Sequence, residues 1–212
     1  MHDIADLRRQ ALTARRALGA RNRRAASRHA VRRVSRLPRI QRADRIGLYW
    51  PLASEADPLG LARLLPAHVA FYFPRVTDHG LAFVQVSRPL SRDGWRRSAL
   101  GVYEPPGPAG QLDRLDALIV PLAGFDAAAN RIGLGGGFYD RTLAGLIGRS
   151  YRRPHLYGLA FEAQRVPDFT PQPWDIPLDA VISEHAVYRR ALGAVAVLYE
   201  SAPSAVLRQD EA

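Results

Sequence analysis

The residues whose types and spacing best suit chemistry lie in one short stretch, residues 130–141, with the sequence N-R-I-G-L-G-G-G-F-Y-D-R. Four of them are glycines: Gly133, Gly135, Gly136 and Gly137. Glycine adopts backbone angles that other residues avoid, and it lets the main chain approach a ligand closely. Successive exposed N–H groups in such a loop form an anion-binding concavity, which a following helix strengthens. The stretch therefore predicts a phosphate cradle.

The loop differs from the two commonest phosphate-binding motifs. A Walker A loop requires a lysine, and the chain contains none; a dinucleotide-binding fingerprint requires a further glycine where this chain has Phe138. A flexible turn is the alternative interpretation of the clustered glycines. The flanking Arg131, Tyr139, Asp140 and Arg141 favour a site for a nucleotide and a metal, because a plain turn has no need of these charged and aromatic side chains.

The glycine stretch follows residues 120–126, V-P-L-A-G-F-D, and the two together resemble the signature of the 5-formyltetrahydrofolate cyclo-ligase (methenyltetrahydrofolate synthetase) family. Shorter segments agree with the family in order and spacing, namely residues 55–57, 72–76, 103–105 and 174–179. The resemblance extends over about residues 5 to 185. It implies ATP- and Mg²⁺-dependent cyclisation of 5-formyltetrahydrofolate to 5,10-methenyltetrahydrofolate, with release of ADP and phosphate.

The resemblance also implies which residues bind ATP and act in catalysis. Catalytic roles are expected for Arg131, Tyr139 and Asp140. The residues expected to bind ATP are Arg8, Arg131, Gly133, Leu134, Gly135, Gly136, Gly137, Phe138, Tyr139, Asp140 and Arg141. Arginine suits a triphosphate because its planar fork of donors matches phosphate oxygens.

The reduced folate is expected to contact a second group of side chains. Glu55 matches the family position whose carboxylate accepts hydrogen bonds from the pterin, and Phe138 and Tyr139 would line the pterin pocket. Trp50 and Phe73 are further candidates for substrate binding, although packing in the core is an equally good interpretation of both.

Two aspartates, Asp140 and Asp175, are expected to bind Mg²⁺. A Mg²⁺ ion bound with ATP usually takes one or two carboxylates, while phosphates and waters complete its octahedron. The alternative for Asp140 is a helix-terminal carboxylate that interacts with the helix dipole. The alternative for Asp175 is a turn residue before Pro177.

The chain departs from the family pattern near its N-terminus. The family has a basic pair, Lys-x-x-x-Arg, that reaches the nucleotide; Arg8 matches the arginine, but Ile4 stands at the lysine position. Either Arg9, Arg15 or Arg16 compensates, or ATP binds more weakly. Ile4 also has the spacing of a residue that anchors a helix.

The apolar pattern predicts the elements that must position these residues. The first helix is predicted from apolar residues that recur every three or four positions from Ile4 to Leu18, and a second begins after Asn22 as its N-cap and stops at Pro38. Strands are predicted at residues 45–50, 69–73, 81–86, 115–122, 155–161 and 179–183. Further helices are predicted at residues 58–65 and 139–147, and residues 87–110 form a loop, with or without a short strand near Val102.

This alternation of strands and helices predicts a three-layer α/β fold. A mostly parallel sheet carries helices on both faces in a Rossmann-like arrangement, after the two N-terminal helices, and the resemblance adds the NagB/RpiA/CoA-transferase-like class. Sites in such sheets collect at the carboxyl ends of strands, where residues 55–57, Pro74, Arg75 and the glycine stretch are expected. Residues 1–212 are expected to form a single domain, with a tail of unknown role from about residue 191 to residue 212.

The net charge of +10 is unevenly distributed along the chain. Residues 1–45 contain 14 arginines and three acidic residues, while the remainder contains 16 arginines and 17 acidic residues. A basic segment of this kind suits nucleic acid, an acidic membrane or a small polyanion, or it forms a solvated helix face. The solvated face is the better interpretation for most of these arginines, because the chain uses arginine in place of lysine throughout. An RNA-binding module is disfavoured, because no aromatic platform for RNA bases accompanies the arginines.

Composition restricts the other partners. No apolar run approaches the roughly 20 residues of a membrane span, and the absence of cysteine excludes disulfides and thiolate metal sites. The expected partners are ATP, Mg²⁺ and a reduced folate, with no nucleic acid and no membrane. A cytoplasmic monomer is expected. The remaining alternatives are a family member that acts on a different substrate and an RNA-binding module.

Overall fold

The computed structural model describes residues 3–98, 101–110, 112–145 and 153–190. The α-helices in these ranges are α1 (Ile4–Ala17), α2 (Ala20–Ser35), α3 (Pro38–Gln41), α4 (Leu61–Leu64) and α5 (Phe138–Ala144). The strands are β1 (Arg45–Gly47), β2 (Ala70–Thr77), β3 (Gly80–Val86), β4 (Arg96–Arg97), β5 (Tyr103–Glu104), β6 (Ala109–Gly110), β7 (Ala117–Pro121), β8 (Gly124–Phe125), β9 (Arg131–Ile132), β10 (His155–Leu159), β11 (Ala180–Ile182) and β12 (Val187–Arg189). None of the described helices is both long and apolar enough to cross a membrane.

Eight strands form one sheet in the order β12-β11-β10-β7-β1-β2-β3-β6. The five strands from β11 to β2 run parallel, whereas β12, β3 and β6 pair antiparallel with their neighbours at the two edges. Strand β7 lies at the centre, and all five of its residues are buried. Its continuous apolar sequence is typical of a parallel strand that is covered on both faces. The predicted mostly parallel sheet is confirmed.

Helices cover both faces of this sheet. On one face α2, α3 and α4 bury Val34, Ile40 and Leu61 in a cluster that also contains Ile46 and Ile119 of the sheet. On the other face Leu143 of α5 joins a cluster that contains Leu118, Val120 and Leu156. Neighbouring residues of β7 point to opposite faces, so the central strand contributes to both cores.

Helix α1 packs beside the sheet, where it forms its own small cluster. Leu7 and Ala11 are buried with Ala123, Ile132 and Val166, and Ile4 packs against this cluster. The first helix is therefore confirmed, and Ile4 lies in the position of a helix anchor. Of the predicted apolar stripe Leu7 and Ala11 are buried, but Arg15 continues the buried face in place of Ala14.

The second helix begins earlier than predicted. Helix α2 starts at Ala20 with Gly19 as its N-cap, because the Gly19 carbonyl accepts the first helical hydrogen bond from the Arg23 N–H at 3.0 Å. Asn22 lies inside the helix. The helix ends at Ser35, and Pro38 opens the separate α3 rather than stopping α2 directly.

Strand β1 is shorter than predicted and β2 is longer. Strand β1 ends at Gly47, while β2 continues through Pro74 and Arg75 to Thr77. Proline has no N–H group, so a strand tolerates it only where no neighbouring strand needs that donor. The Tyr72 carbonyl accepts a hydrogen bond from the Leu48 N–H, so the backbone of Tyr72 faces β1. The backbone of Pro74, two residues further on, faces the same side, where β1 has already ended. Pro74 and Arg75 therefore lie within the strand, not after it.

A hairpin that the sequence did not predict lies between the central strand and the glycine stretch that follows it. Strands β8 and β9 pair antiparallel, and the Asp126 carboxylate closes the turn between them. It accepts hydrogen bonds from the Ala128 N–H at 3.0 Å, the Asn130 N–H at 2.9 Å and the Asn130 side chain at 2.7 Å. The hairpin thus sets the position of Arg131 and of the loop that follows.

The structure also contains strands that the sequence did not predict. Strands β4 and β6 lie in the region interpreted as a loop, and β12 extends the sheet beyond β11. Strand β5, which pairs with β4 in a separate two-stranded sheet, corresponds to the short strand considered near Val102. Strand β3 lies next to the edge of the sheet, where β6 pairs with it over two residue pairs. The end of the predicted helix at residue 147 and the tail from residue 191 lie outside the described residues.

Candidate functional site

A cleft lies beside the carboxyl ends of the parallel strands β1 and β7. Its walls include Trp50 and Glu55 after β1, Pro74 of β2 and Pro121 at the end of β7. The opposite wall consists of residues that the sequence had marked as a group: Arg131, Gly133, Leu134, Gly136, Gly137, Phe138, Tyr139 and Asp140. The structure thus brings Glu55 and eight of the residues between 131 and 140 onto one cavity of about 150 Å³.

The glycine loop connects β9 to α5 through two left-handed residues. Gly135 has φ 103° and Gly137 has φ 64°, angles that side chains with a Cβ atom rarely adopt. Gly136 has no such angle, but a Cβ atom there would lie 2.9 Å from the Phe138 ring. Gly137 is the N-cap of α5, so the N–H groups of the first helical turn have no partner within the helix. This geometry suits an anion.

Three arginines from different elements converge on this loop. The Arg8 Nε of α1 donates to the Gly133 carbonyl at 2.9 Å, and the Arg141 Nη1 of α5 donates to the Gly136 carbonyl at 3.1 Å. Arg131 of β9 is buried, and its guanidinium pairs with Asp140. The Arg131 Nε is buried without a hydrogen-bond partner among the described residues, which leaves one donor for a ligand.

Asp175 lies in the loop before β11, close enough to Asp140 for their charges to interact. Burial raises the pKa of Asp175, the Asp140 charge raises it further, and Arg131 and Arg8 oppose the rise. The Gln172 N–H donates to the Asp175 carboxylate at 2.9 Å, which is the turn geometry of the alternative interpretation. Two neighbouring carboxylates fit a Mg²⁺ ion that takes its other ligands from phosphate and water. Within the described ranges no group of three or more His, Asp or Glu side chains could hold a metal ion by itself.

Glu55 is buried at the junction of the cleft with α1. Its Oε2 accepts a hydrogen bond from the Leu52 N–H at 2.9 Å, and its Oε1 lies 3.8 Å from the Arg15 Nη1. Burial raises the pKa of Glu55, while the Leu52 N–H and the Arg15 charge lower it. Burial also lowers the pKa of Arg15. Both shifts indicate that this long contact compensates for only part of the lost hydration of the two charges.

Tyr139 faces Glu55 from the glycine side of the cleft. Its hydroxyl is buried and has no hydrogen-bond partner among the described residues. Burial is the largest cause of the raised pKa of Tyr139, the Glu55 charge adds to it, and Arg131 opposes it. The hydroxyl therefore stays protonated and is able to donate to a ligand that enters between Tyr139 and Glu55.

The two aromatic candidates after β1 and in β2 have different positions. Trp50 lines the cleft, whereas Phe73 is completely buried and is not among the lining residues. The two rings are 6.3 Å apart, and Trp95 packs edge-on against both at 5.2 Å and 5.1 Å. For Phe73 the structure therefore favours the core interpretation, in which the ring supports Trp50 from behind.

From the sequence, Arg15 was only one of three arginines that could compensate for the absent lysine, but the structure places it in the site. Its guanidinium is buried beside Glu55, and its Nε and Nη1 have no hydrogen-bond partner among the described residues. The signal was present in the sequence, because Arg15 continues the stripe of Leu7 and Ala11 that α1 buries. An arginine on the buried stripe of an amphipathic helix needs an anionic partner.

The fold and the site together define a class of α/β protein, in which a glycine loop at the start of a helix faces a buried carboxylate across one cleft. Comparison with known proteins identifies the family within this class. The sequence profile of the 5-formyltetrahydrofolate cyclo-ligase family matches residues 1–184. The chain therefore belongs to the 5-formyltetrahydrofolate cyclo-ligase family, which is a family of ligases.

Individual relatives agree with this assignment. A 5-formyltetrahydrofolate cyclo-ligase of Haemophilus influenzae is 33% identical over 145 residues, which cover 65% of this chain and 74% of that protein. The enzyme of the same name from Escherichia coli K12 is 43% identical over 77 residues, which cover 36% of this chain and 41% of that protein.

Solved structures of similar proteins have the same fold. The 5,10-methenyltetrahydrofolate synthetase of Aquifex aeolicus superimposes with a TM-score of 0.73 at 26% identity, over 88% of this chain and 92% of that one. The synthetase of Mycoplasma pneumoniae superimposes with a TM-score of 0.67 at 23% identity, over 86% of this chain and 99% of that one.

We expect Arg15→Met to destabilise the protein in a pH-dependent way. Folding raises the pKa of Glu55. The free energy of unfolding therefore decreases as the pH rises through this raised pKa and the carboxyl group ionises. Without Arg15 the pKa rises further. The loss relative to the wild type should therefore be small below about pH 4.5 and reach about 3 kcal/mol near neutral pH, the scale for breaking a buried pair.

Urea unfolding at several pH values measures this difference. Arg16→Met is the matched control, because Arg16 is the next residue of the same helix and is exposed. The control should lose little stability at any pH. A loss in Arg15→Met that does not change with pH would mean that Arg15 acts through packing and not through the charge of Glu55.

Proposed function

We propose that the chain catalyses the ATP- and Mg²⁺-dependent cyclisation of 5-formyltetrahydrofolate to 5,10-methenyltetrahydrofolate, with release of ADP and phosphate. The observation that carries the proposal is the arrangement of one cleft between two different walls. The glycine loop and its three arginines form a cationic wall that suits phosphates, while Glu55 and Trp50 on the other wall, together with Tyr139 that faces them, suit a pterin. Membership of the cyclo-ligase family supports the same reaction.

The chemistry requires little covalent participation by the protein. The formyl oxygen attacks the γ-phosphorus of ATP, so a C–O–P bond forms and the bond from that phosphorus to ADP breaks. N10 of the folate then adds to the formyl carbon and loses its proton, and the C–O bond breaks as phosphate departs. The protein must align the formyl oxygen with the γ-phosphate and stabilise the developing negative charge.

The described residues divide these tasks by position. The N–H groups after Gly137 and the side chains of Arg131 and Arg141 stabilise phosphate charge, and Arg8 holds the loop through the Gly133 carbonyl. Asp140 and Asp175 would hold Mg²⁺, which when bound neutralises negative charge on the phosphates. Glu55 accepts hydrogen bonds from the pterin, while the Tyr139 hydroxyl donates to the same ligand.

The wild-type protein tests the proposal directly. Methenyltetrahydrofolate absorbance should grow when the protein is mixed with Mg²⁺, ATP and 5-formyltetrahydrofolate, and omission of ATP should abolish it. Release of phosphate from ATP without any methenyl product would instead support a family member that acts on a different substrate.

We expect Asp140→Asn to lower turnover by about 100-fold or more and to raise the Mg²⁺ concentration that activity requires, since one strong electrostatic stabiliser is lost. Turnover as a function of Mg²⁺ concentration gives both effects. Asp44→Asn is the control, because Asp44 precedes β1 and lies at the amino ends of the parallel strands. Near-normal turnover of Asp140→Asn at limiting Mg²⁺ would identify Asp140 as a helix-terminal carboxylate only.

We expect Gly137→Val to weaken ATP binding by tenfold or more and folate binding much less. The left-handed angle at this position costs a β-branched residue about 1–3 kcal/mol, and its Cβ would lie 2.8 Å from the Arg141 Nη1. Calorimetry with each ligand separates the two effects. Gly137→Asn should retain more ATP affinity, because asparagine tolerates this conformation. Unchanged ATP affinity in the valine variant would exclude the loop as the phosphate site.

We expect Glu55→Gln to weaken folate binding more than ATP binding, which is the opposite of the effect of Gly137→Val. The substitution keeps the size of the side chain but turns one acceptor into a donor that faces the donors of the pterin. A mismatch of this kind costs roughly 1–3 kcal/mol, or about 5- to 150-fold in folate affinity. ATP affinity, measured on the same sample, should be nearly unchanged. Equal weakening of both ligands would assign Glu55 to support of the fold.

A further inference from the structure

A separate cavity lies at the opposite end of the sheet from the cleft, at the amino ends of the parallel strands. Arg45 is the first residue of β1, and His155 is the first residue of β10. Between them in sequence, Leu115 and Asp116 directly precede β7. All four residues line this amino-end cavity, and its volume of about 520 Å³ is in the range of small-ligand sites.

Five arginines line the amino-end cavity, and they come from separate elements of the fold. Arg39 belongs to α3 and Arg42 directly follows that helix, Arg45 begins β1, Arg114 ends a short 3₁₀ turn, and Arg153 precedes β10. A solvated helix face carries its like charges on one element, where each side chain extends into water. Here the fold brings charges that are distant in sequence onto one concave surface, where their fields add.

The two acidic residues of the amino-end cavity are engaged within the protein. The Asp116 carboxylate accepts hydrogen bonds from the Asp44 N–H at 2.9 Å and from the Arg45 N–H at 2.8 Å. Both donors are backbone groups, so these bonds hold the start of β1 without pairing with the Arg45 side chain. Asp113 also has an interaction within the protein. The carboxylates of the cavity therefore already have partners.

Four of the five arginines lack such a partner among the described residues. Arg153 is the exception, because its guanidinium donates to the Asp179 carboxylate at 2.8 Å. The arginines that make no ion pair and no side-chain hydrogen bond with a described residue are Arg39, Arg42, Arg45 and Arg114. With Asp179 included, five arginines face three aspartates, so an excess of two positive charges remains.

The imidazole of His155 lies among these charges. Its Nδ1 is 3.7 Å from the Asp179 carboxylate, and its ring stacks with Tyr157 at 6.2 Å between centroids. Burial is the largest cause of the lowered pKa of His155; the Asp179 charge opposes this change, while the charges of Arg39 and Arg153 add to it. A bound anion would act in the same direction as Asp179. The imidazole is therefore a local reporter of an anion in the cavity.

A smaller depression of about 270 Å³ adjoins the amino-end cavity. The two share Arg45, Arg114 and Leu115, so both arginines lie where the depressions join. The other lining residues of the smaller depression are Tyr72, Ala109 and Gly110, none of which is acidic. A ligand that extends from the cavity along Arg45 and Arg114 therefore meets no further carboxylate among the described lining residues.

The lining also restricts the kind of anion. Leu115 is the only apolar residue among the described lining residues of the amino-end cavity, so a ligand with a large hydrophobic part has little to pack against. The guanidinium group is a planar fork of donors that matches phosphate oxygens. A single phosphate contacts one or two such forks, whereas linked phosphates present oxygens to several arginines in succession. The lining therefore suits a chain of phosphates.

We propose that the amino-end cavity binds a chain of at least two linked phosphates, either as a free oligophosphate or as part of a nucleotide. The phosphate oxygens pair with the four arginines that have no other partner, and Arg45 and Arg114 at the junction hold the middle of the chain. The glycine loop lies at the carboxyl ends of the same strands. This second site is therefore distinct from the proposed ATP site and does not depend on the proposed reaction.

NMR of the His155 imidazole during titration with tripolyphosphate tests the proposal, and a His155→Gln variant assigns the signal. In the wild type the signal should shift until it saturates, and the pKa of His155 should rise, because the probe adds negative charge beside the ring. The dissociation constant should increase as salt is raised. A His155 signal that does not respond to tripolyphosphate would overturn the proposal, whether or not the probe binds at the glycine loop.

Two pairs of substitutions locate the site. Arg45→Gln/Arg114→Gln should raise the dissociation constant for tripolyphosphate about 4- to 25-fold, since each partly exposed charge contact contributes a factor of about two to five. Arg39→Gln/Arg42→Gln removes the other two unpaired charges and should have an effect of the same size. All four side chains are exposed, so urea unfolding and KM for ATP should remain as in the wild type. Unchanged affinity in both variants would overturn the site.

Arg21→Gln/Arg88→Gln is the matched control. It removes the same charge from exposed positions that line neither depression, and it should keep the wild-type dissociation constant. A loss of affinity in this control equal to that of Arg45→Gln/Arg114→Gln would mean that tripolyphosphate responds to net charge alone. That result would overturn the assignment to the amino-end cavity.

Further probes identify the source of the phosphate chain. If ATP or GTP shifts the His155 signal at a lower concentration than tripolyphosphate does, the chain belongs to a nucleotide; equal or weaker nucleotide binding identifies a free oligophosphate. Inorganic phosphate that binds as tightly as tripolyphosphate would overturn the requirement for linked phosphates. Single-stranded RNA that shifts the signal when tripolyphosphate does not would overturn the proposal and assign the cavity to nucleic acid.

Discussion

The buried contact between Arg15 and Glu55 connects two parts of the chain on which the cleft depends. Arg15 lies on the buried face of α1, and Glu55 follows the first strand of the sheet, with side chains 6% and 5% exposed. About two turns earlier on the same helix, Arg8 reaches the Gly133 carbonyl of the glycine loop. Helix α1 therefore orients both walls of the cleft, although it contributes no strand to the sheet and little to its two main cores.

This arrangement leaves polar groups buried without partners in the cleft and behind Glu55. The Arg15 Nη1, the Arg131 Nε and the Tyr139 hydroxyl have no hydrogen bond among the described residues, and each such group costs about 1–3 kcal/mol when it is buried. A ligand that supplies hydrogen-bond partners removes this cost, and the free energy gained in this way favours its binding. The raised pKa of Glu55 and the raised pKa of Tyr139 have the same origin in burial.

The sheet explains why the site lies where it does. Five parallel strands direct their carboxyl ends to one edge, and the β8–β9 hairpin carries the chain from the end of β7 to the glycine loop. The antiparallel additions at both edges leave this centre unchanged. The basic N-terminal helices lie against the same region. The positive charge concentrated in this part of the sequence therefore produces a local positive field beside the cleft, which is proposed to bind two anionic ligands.

The sequence by itself determined the features that depend on local chemistry. Consecutive glycines before an aromatic and acidic helix start predict an anion loop, and the apolar run of β7 predicts a buried central strand, because both signals lie within a few residues. Tertiary structure decided what depends on distant partners. Pro74 remains in β2 because β1 has already ended, Phe73 packs behind Trp50, and Glu55 is the residue that lies opposite Arg15. No local pattern contains these facts, since each partner is supplied by another element of the fold.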